Sequence, residues 1–434
     1  MAWRRLRSHL RVPLFRNAYF LMLSSGLMSA LGVPFWALAA HLYSARNVGL
    51  SATMVSAMSL VSGAGTLGMS SITVRYLPAA GTRTRRFVVL SYLGTGSLTL
   101  VLAVVAASTS HLWSPSLRFL GDDTAWFVLF VAATVTWTIF SLEDSVMTSL
   151  HETRWVPVEN ATFAVARLVL VVTLAGAARR SGIFLACIVP GMFLIFPVNL
   201  AIFTRFLPRR ASAQSSGPTW TVAELRKMIG GNYLGSLWTL CASLLLPVLV
   251  TNEVNVSAAG YFYVPWMLTA GVVLVAANMS TSLSVETALA ETEVRKHTLN
   301  AIAAILRIIG PAMLVIFIFA PQILSLFGPE YVKHGTSVLR ILMLGAIPNA
   351  IGLVGLSVAR FRHDGRLVAV VQILVAVIIL GLSALLLPRL GIIAVGWAVL
   401  LAVLVGAAMV APTLNRALAR VAPEGQDPPP AVGG

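Results

Sequence analysis

Twelve long apolar runs follow one another along the 434-residue chain, separated by short polar segments. A helix needs about 20 predominantly apolar residues to cross the hydrocarbon core of a bilayer. Because that core offers no water to the backbone, only helices and closed barrels cross it. The sequence therefore predicts an all-α polytopic membrane protein with about 12 transmembrane helices. The predicted spans are 14–40, 48–73, 87–108, 125–148, 158–178, 182–204, 228–250, 257–284, 298–320, 335–358, 367–387 and 391–412.

The composition excludes a soluble protein of this length. Charged residues make up only 11% of the chain, against about 25% in soluble domains. The basic excess, 31 Lys and Arg against 15 Asp and Glu, suits an anionic membrane surface, so nucleic acid is not expected as a partner. Cys187 and Cys241 lie in apolar runs without a C-x-x-C pattern, which excludes a disulfide scaffold or structural zinc site.

The distribution of basic residues predicts the orientation. With both termini placed in the cytoplasm, 22 Lys and Arg fall in inner segments and 6 in outer loops. Cytoplasmic loops of membrane proteins carry such an excess. We therefore expect both termini to be cytoplasmic.

The longest polar interruption divides the chain into two halves with six spans each. We expect an N-terminal six-helix bundle (1–206), a cytoplasmic linker (207–227), a C-terminal six-helix bundle (228–416) and a disordered cytoplasmic tail (417–434). The halves begin alike: Asn17 precedes Gly49 in the first as Asn232 precedes Gly260 in the second. Equal, even numbers of spans predict a parallel repeat, an architecture that suits alternating access.

The beginning of the chain resembles bacterial polysaccharide flippases (Wzx-type) of the multidrug/oligosaccharidyl-lipid/polysaccharide exporter superfamily. The resemblance rests on Arg16-Asn17-Ala18-Tyr19-Phe20, Gly26-Leu27, Ser29-Ala30-Leu31-Gly32, Phe35-Trp36, Ala39-Ala40-His41-Leu42-Tyr43-Ser44 and Val48-Gly49-Leu50. It implies an antiporter-like transporter in the bacterial inner membrane that moves a polyprenyl-diphosphate-linked oligosaccharide to the outer leaflet. The implied partners are that lipid-linked oligosaccharide, anionic membrane lipids and polysaccharide assembly proteins. Sister branches export drugs, so a cation-coupled multidrug or small-metabolite exporter is the alternative.

Two arginines lie in the middle of predicted spans, Arg167 and Arg307. An arginine there costs about 2.5–3.5 kcal/mol on insertion scales. Because both lie at the same depth, they predict a pair that binds a diphosphate. Asn160 lies on the same helix face as Arg167 and is a candidate for a hydrogen bond to sugar or phosphate. In the alternative interpretation, each arginine pairs with a neighbouring carboxylate or carbonyl and only stabilises the bundle.

Arg16 and Arg75 are predicted at cytoplasmic helix ends. The preference for basic residues on the cytoplasmic side accounts for them. A more specific hypothesis is a basic vestibule that collects the anionic head group of the substrate.

Glu143 and Asp144 close the fourth span and are the candidates for the coupling ion. A buried carboxylate carries a proton or binds a sodium ion. The alternative is an ion pair with Arg154 or Arg167.

An enzyme is not expected, and neither is a cofactor. The sequence has no G-x-x-x-x-G-K-[ST] loop for a nucleotide and no pair of histidines at metal-ligand spacing. A membrane glycosyltransferase or polymerase is the remaining enzymatic alternative, but every predicted external loop is short. A flippase predicts a basic, hydrated cleft, and a multidrug exporter predicts an apolar, aromatic cleft with an acidic site.

Overall fold

The computed structural model describes residues 13–66, 68–178, 181–208, 222–289, 294–362 and 364–419. These residues form helices and connecting turns, without a strand. The helices are α1 (Pro13–Leu42), α2 (Ala45–Thr66), α3 (Met69–Tyr76), α4 (Thr84–Ser108), α5 (Thr124–Ser149), α6 (Trp155–Ala177), α7 (Gly182–Ala201), α8 (Val222–Glu253), α9 (Val256–Leu289), α10 (Val294–Ile318), α11 (Pro329–Leu344), α12 (Ala346–Phe361), α13 (Gly365–Leu390) and α14 (Ile393–Ala419). Three α-helices of four to six residues remain unlabelled, Ser110–Trp113, Phe119–Asp122 and Ala320–Ser325, and a π-helical turn, Ile202–Phe206, follows α7.

The predicted all-α membrane class is confirmed. Within the described residues, 10 helical segments are long and apolar enough to cross a membrane. Two shorter apolar segments, Gly26–Leu42 and Leu237–Glu253, lie in α1 and α8. One of the ten segments, Pro329–Phe361, contains both α11 and α12.

Two predicted spans differ from the helices observed. The span 48–73 ends early, because α2 ends at Thr66 and Gly68 adopts the left-handed conformation (φ 71°) before α3. The span 335–358 begins earlier, at Pro329, and is divided at Gly345. Pro348 explains the division, since it has no N–H to donate to the carbonyl of Leu344.

The helices form two bundles. In the first, α1 packs on α6 and α4 packs on α5; in the second, α13 packs on both α14 and α8, and α12 packs on α14. We refer to α1–α7 as the N-lobe and to α8–α14 as the C-lobe. Helix α8 begins at Val222, inside the segment predicted as a linker, and α14 continues to Ala419, past the predicted start of the tail. Residues 209–221 and 420–434 lie outside the described part.

The lobes meet where α2 crosses α9. Gly49 and Gly260, which occupy matching positions in the two halves of the sequence, face each other at this crossing. A Cβ atom at Gly49 would lie 2.7 Å from the backbone nitrogen of Gly260 and would also collide with the carbonyl of Val256. Small residues allow membrane helices to approach this closely. The repeated glycine therefore serves the contact between the lobes.

Hydrogen bonds join the lobes close to this crossing, at the predicted outer end. The hydroxyl oxygens of Thr53 and Thr251 lie 2.7 Å apart. Asn252 donates to the carbonyl of Trp113 (2.7 Å) and accepts from the hydroxyl of Ser114 (2.9 Å). The described residues thus hold the two lobes together at the end where α2 and α9 begin.

This crossing predicts that Gly49→Leu separates the lobes at their outer end. Overpacking a tight contact costs about 1–3 kcal/mol, which is enough to shift a two-state equilibrium about tenfold. In a protein with Cys187 and Cys241 replaced by Ser, Thr53→Cys and Thr251→Cys are expected to crosslink under oxidation. Gly49→Leu is expected to reduce the yield of this disulfide crosslink between positions 53 and 251. Gly94→Leu is the control, because no atom lies within 4 Å of a Cβ there; an equal loss in both variants would contradict the prediction.

Candidate functional site

Arg167 lies in the middle of α6 and points toward α1 and the seam between the lobes. Its guanidinium lies over the rings of Phe35 (4.8 Å) and Phe163 (5.6 Å). A Cβ at Gly32 would lie 3.4 Å from Arg167 Nη2. Tyr263 of the C-lobe is within electrostatic range of the guanidinium. The arginine is therefore enclosed mainly by aromatic rings and by the backbone of α1.

The Arg167 side chain has no carboxylate partner among the described residues. Its Nε atom is buried and donates no hydrogen bond, and none of the described ion pairs includes it. Arg154, the other arginine considered as a partner for Glu143 or Asp144, pairs with Glu152 at 3.1 Å. Stacking on aromatic rings stabilises a guanidinium by about 0.5–2 kcal/mol but leaves its hydrogen-bond donors available.

The second predicted arginine has a different environment. Arg307 lies in the middle of α10 and is exposed, between the exposed side chains of Leu306 and Ile308. Helix α10 packs on C-lobe helices, and the described contacts do not bring Arg307 to Arg167. The paired arginine site is therefore not assembled in this conformation. Arg340 has a structural partner, since its Nε donates to the carbonyl of Phe317 at 3.1 Å.

The two arginines predicted at cytoplasmic helix ends are only partly described. Arg75 lies in the last turn of α3, is exposed, and has its guanidinium 5.7 Å from the ring of Tyr76. Arg16 belongs to α1, but its side chain lies outside the described part of the molecule. The vestibule hypothesis remains a prediction for both residues.

An acidic cluster lies inside the N-lobe, where α5 ends and α6 begins. Glu143 is fully buried and accepts a hydrogen bond from Asn199 of α7. Asp144 accepts from the amide of Asn160 at 3.3 Å, and the same amide donates to Ser24 of α1 at 2.9 Å. Glu159 is 5% exposed and lies against Glu143. Four helices therefore contribute to this acidic cluster.

The acidic cluster has unsatisfied oxygen atoms. Among the described residues, both carboxyl oxygens of Glu159 and one of Glu143 are buried without a hydrogen-bond partner, and so is the hydroxyl of Tyr92 beside them. Two ionised carboxylates in contact repel each other strongly in an apolar environment. No described ion pair neutralises either one. A proton held between Glu143 and Glu159 would remove the repulsion and supply the missing donor.

Sequence reasoning found part of this cluster. Glu143, Asp144 and Asn160 were candidates, but Asn160 contacts the carboxylate of Asp144 rather than lying beside Arg167. Glu159, Asn199 and Tyr92 were not assigned to the site. The available signal was the pair of adjacent polar residues Glu143-Asp144 and Glu159-Asn160, each at the same end of its span. In an antiparallel helix pair such residues lie at the same depth.

The C-lobe contains a cavity of about 590 Å³ between α8, α9, α11, α12, α13 and α14, with α2 closing one side. We call it the C-lobe cavity. Trp266, Met267, Leu353 and Val375 are typical of its wall, and none of its described lining residues is charged. Two side-chain amides, Asn349 and Gln372, also line it. Tyr263 lines the cavity, and its ring contacts the ring of Trp36 of α1 in a tilted arrangement, with the centroids 4.5 Å apart.

Sequence comparisons do not identify a family. No family model matches the chain, and no curated protein matches it.

Structure comparisons do find similar folds. The inward closed conformation of the lipid II flippase MurJ superposes with a TM-score of 0.70 at 12% identity, covering 92% of this chain and 90% of that one. An inward-facing multidrug resistance MATE transporter gives 0.66 at 15% identity, with coverage of 94% and 97%. A Pyrococcus furiosus transporter of the MOP superfamily, whose binding pocket is described as having reverse polarity, gives 0.64 at 14% identity, with coverage of 93% and 95%. The chain therefore has the fold shared by MATE transporters and MurJ.

Proposed function

We propose that this protein is a transporter that flips a polyprenyl-diphosphate-linked oligosaccharide between leaflets by alternating access. The observation that supports this substrate most directly is Arg167, an interior arginine at the seam between the lobes without a described carboxylate partner. A diphosphate would accept hydrogen bonds from its free donors and balance its charge. The fold shared with MurJ, a lipid II flippase, is compatible with such a substrate.

The energetic argument concerns the cost of the guanidinium. An arginine at the bilayer centre costs about 2.5–3.5 kcal/mol on insertion scales, and ring stacking offsets only part of that cost. Interior charged residues of membrane proteins generally mark substrate or ion pathways. A partner that arrives only with the substrate explains why the arginine is kept without one. Arg16 and Arg75 are proposed to attract the anionic head group to the cytoplasmic mouth.

We further propose that the acidic cluster couples transport to protons. Glu143 and Glu159 would hold a proton when substrate is absent and release it when substrate binds. Exchange of a proton moving inward for a substrate moving outward is the antiport cycle that the resemblance implies. The bacterial inner membrane is the proposed location, with both termini in the cytoplasm and polysaccharide assembly proteins as partners.

Cation-coupled export of a drug or small metabolite is the second candidate function. The specific observation in its favour is the uncharged C-lobe cavity with Trp266 and Tyr263 in its wall, together with an acidic site in the other lobe. This combination was expected of an exporter. The MATE transporters with the same fold are multidrug resistance proteins.

Reconstitution tests the two functions side by side. Proteoliposomes would contain either a fluorescent polyprenyl-diphosphate disaccharide, whose leaflet transfer is measured by quenching, or a fluorescent cationic drug. Transfer of the lipid without drug transport supports the proposal. Drug transport without lipid transfer establishes the second candidate.

The role of Arg167 predicts a charge-dependent loss of lipid transfer. Arg167→Met keeps the packing on Phe35 and Phe163 but removes the hydrogen bonds to the diphosphate. Because a hydrogen bond to a charged group contributes about 1.5–3 kcal/mol, the transfer rate at low substrate concentration is expected to fall at least about tenfold. Arg167→Lys retains the charge without the bidentate geometry and is expected to be intermediate.

Two further variants complete this experiment. Arg118→Ala is the matched control, because Arg118 is exposed and pairs with Asp122 at 2.8 Å. Arg307→Ala tests whether the exposed arginine joins the site in another conformation. If Arg167→Met transfers lipid as fast as Arg118→Ala, with equal thermal stability, the diphosphate assignment is wrong.

The acidic cluster predicts a loss of proton coupling without loss of substrate binding. Glu143→Gln and Glu159→Gln remove the exchangeable proton while they preserve volume. Lipid transfer driven by an acidic exterior is expected to fall to the rate seen without a pH gradient. Adding substrate to purified wild-type protein is expected to release protons, measured with a pH indicator. In Glu143→Gln and Glu159→Gln this proton release is expected to be lost.

The control for proton coupling is Glu253→Gln. Glu253 is exposed at the opposite, predicted outer end of the bundle. This variant is expected to keep both the gradient-driven transfer and the proton release. Gradient-driven transfer that persists in both Glu143→Gln and Glu159→Gln would show that the cluster does not carry the coupling proton.

A further inference from the structure

We propose that the C-lobe cavity binds the isoprenoid chain of the substrate while the diphosphate lies at Arg167, so that one site extends across both lobes. This inference rests on the proposed flippase function and assigns its apolar component a location. It differs from the exporter hypothesis, in which the cavity would bind a whole, compact molecule.

The chemistry of the wall selects an uncharged ligand. None of the described lining residues carries a charge, and burying an unpaired charged group in such a cavity is very costly. Two hydroxyls in the wall are satisfied within their own helices: Thr269 donates to the carbonyl of Pro265 (2.8 Å), and Ser243 donates to the carbonyl of Thr239 (3.1 Å). These residues therefore present mainly carbon atoms to the cavity.

Tyr263 connects the cavity to the arginine. Its side chain lines the C-lobe cavity, its ring contacts the tilted ring of Trp36 of α1, and its hydroxyl is within electrostatic range of Arg167. A ligand with its anionic end at Arg167 would therefore pass Tyr263 to reach the apolar wall. A charged donor and an apolar cavity beside the same side chain match the two ends of an amphiphile.

The size of the cavity also suits part of a lipid chain. Its volume of about 590 Å³ falls within the range of about 300–1,000 Å³ typical of small-molecule sites. A chain segment that enters from the bilayer makes dispersion contacts with the close-packed wall. A flexible chain fills an irregular apolar space segment by segment, and the rest of a long polyprenyl chain remains in the bilayer.

Two polar positions in the wall distinguish a chain from a compact polar drug. The amides of Asn349 and Gln372 donate no hydrogen bond to a described residue. A drug with hydrogen-bonding groups would use them, as small-molecule sites generally use a few polar groups for orientation. An isoprenoid chain has no such groups and would gain from a more apolar wall.

The first experiment locates the chain in the wild-type protein. A polyprenyl diphosphate with a benzophenone on its terminal isoprene unit is bound and irradiated, and the labelled peptides are identified by mass spectrometry. Label is expected in α9, α12 and α13, near residues such as Val273, Leu353 and Val375. Label confined to the exposed surface of α7, around Phe193 and Phe196, would overturn the proposal.

The second experiment fills the cavity. Ala270 lines the cavity and is exposed to it, so Ala270→Phe adds a ring without entering the packed core. The added ring excludes part of the chain and removes its packing contacts with the wall, which is expected to weaken binding of the probe about tenfold. Val275→Phe is the control on the same helix, at an exposed position outside the wall; it is expected to bind the probe like wild type.

Removal of the amides provides the opposite test. Asn349→Leu and Gln372→Leu are expected to bind the probe more tightly than wild type, because they extend the apolar wall at similar volume. Weaker binding in both variants, with unchanged binding in Ala270→Phe, would overturn the proposal in favour of a polar ligand.

The two proposals fail in different ways. If wild type does not transfer the lipid-linked disaccharide at all, the proposed function is wrong. If wild type transfers it, and Ala270→Phe transfers and binds it equally well, only the assignment of the chain to the C-lobe cavity is wrong. Inorganic pyrophosphate is expected to compete with the probe in Ala270→Phe but not in Arg167→Met, which separates the head-group contact from the chain contact.

Discussion

The absence of water from the bilayer core is the constraint on which this structure depends. Every backbone polar group there must be satisfied within the protein, so the chain forms helices, and the side chains that remain polar need a reason to be inside. Most polar side chains in the spans meet this requirement locally. Thr53 and Thr134, for example, donate to the carbonyl four residues earlier. Several uncharged groups, such as the hydroxyls of Thr298 and Ser383, also lack a partner among the described residues. Arg167 and the Glu143–Glu159 pair differ from these because their unsatisfied atoms belong to side chains that can carry a charge.

The crossing at Gly49 and Gly260 determines how the two lobes can use these groups. Since the lobes are held together at one end of α2 and α9, Arg167 of the N-lobe is brought within electrostatic range of Tyr263 of the C-lobe. A site shared between lobes is sensitive to their relative position. Movement of one lobe against the other about this crossing would alter the distance between the arginine and the cavity. That dependence is what alternating access requires, because substrate affinity must differ between the two conformations.

The sequence predicted the helices better than it predicted their faces. Hydropathy predicts the same depth for Arg167 and Arg307, each in the middle of an apolar span. In the structure, however, Arg167 packs on Phe35, whereas Arg307 is exposed beside Leu306. Depth follows from counting along one helix, whereas orientation depends on which neighbour packs against it.

The acidic cluster shows the same limit. Its carboxylates were recognisable as pairs at helix ends, but Asn199 is a single polar residue in an apolar run, and only the packing of α7 on α5 gives it a partner. The sequence contained no indication of the C-lobe cavity, because its wall is made mostly of apolar residues from seven helices.

The distribution of charge between the lobes supports a division of roles. The N-lobe holds the interior guanidinium and the interior carboxyl groups, whereas the cavity in the C-lobe has no charge among its described lining residues. Arg167 and the acidic cluster lie in the same bundle, and both contact α1, through Gly32 and Ser24 respectively. The stretch of α1 between Ser24 and Gly32 therefore lies between the two sites and contacts both. An anion that binds Arg167 adds negative charge to a lobe whose interior already contains two buried carboxyl groups, Glu143 and Glu159. This direct electrostatic effect favours retention of the proton, so the antiport proposed above requires that the structural coupling through α1 be the larger effect. The direction of the proton flux on substrate binding measures which effect is larger: proton release supports antiport, and proton uptake would contradict it.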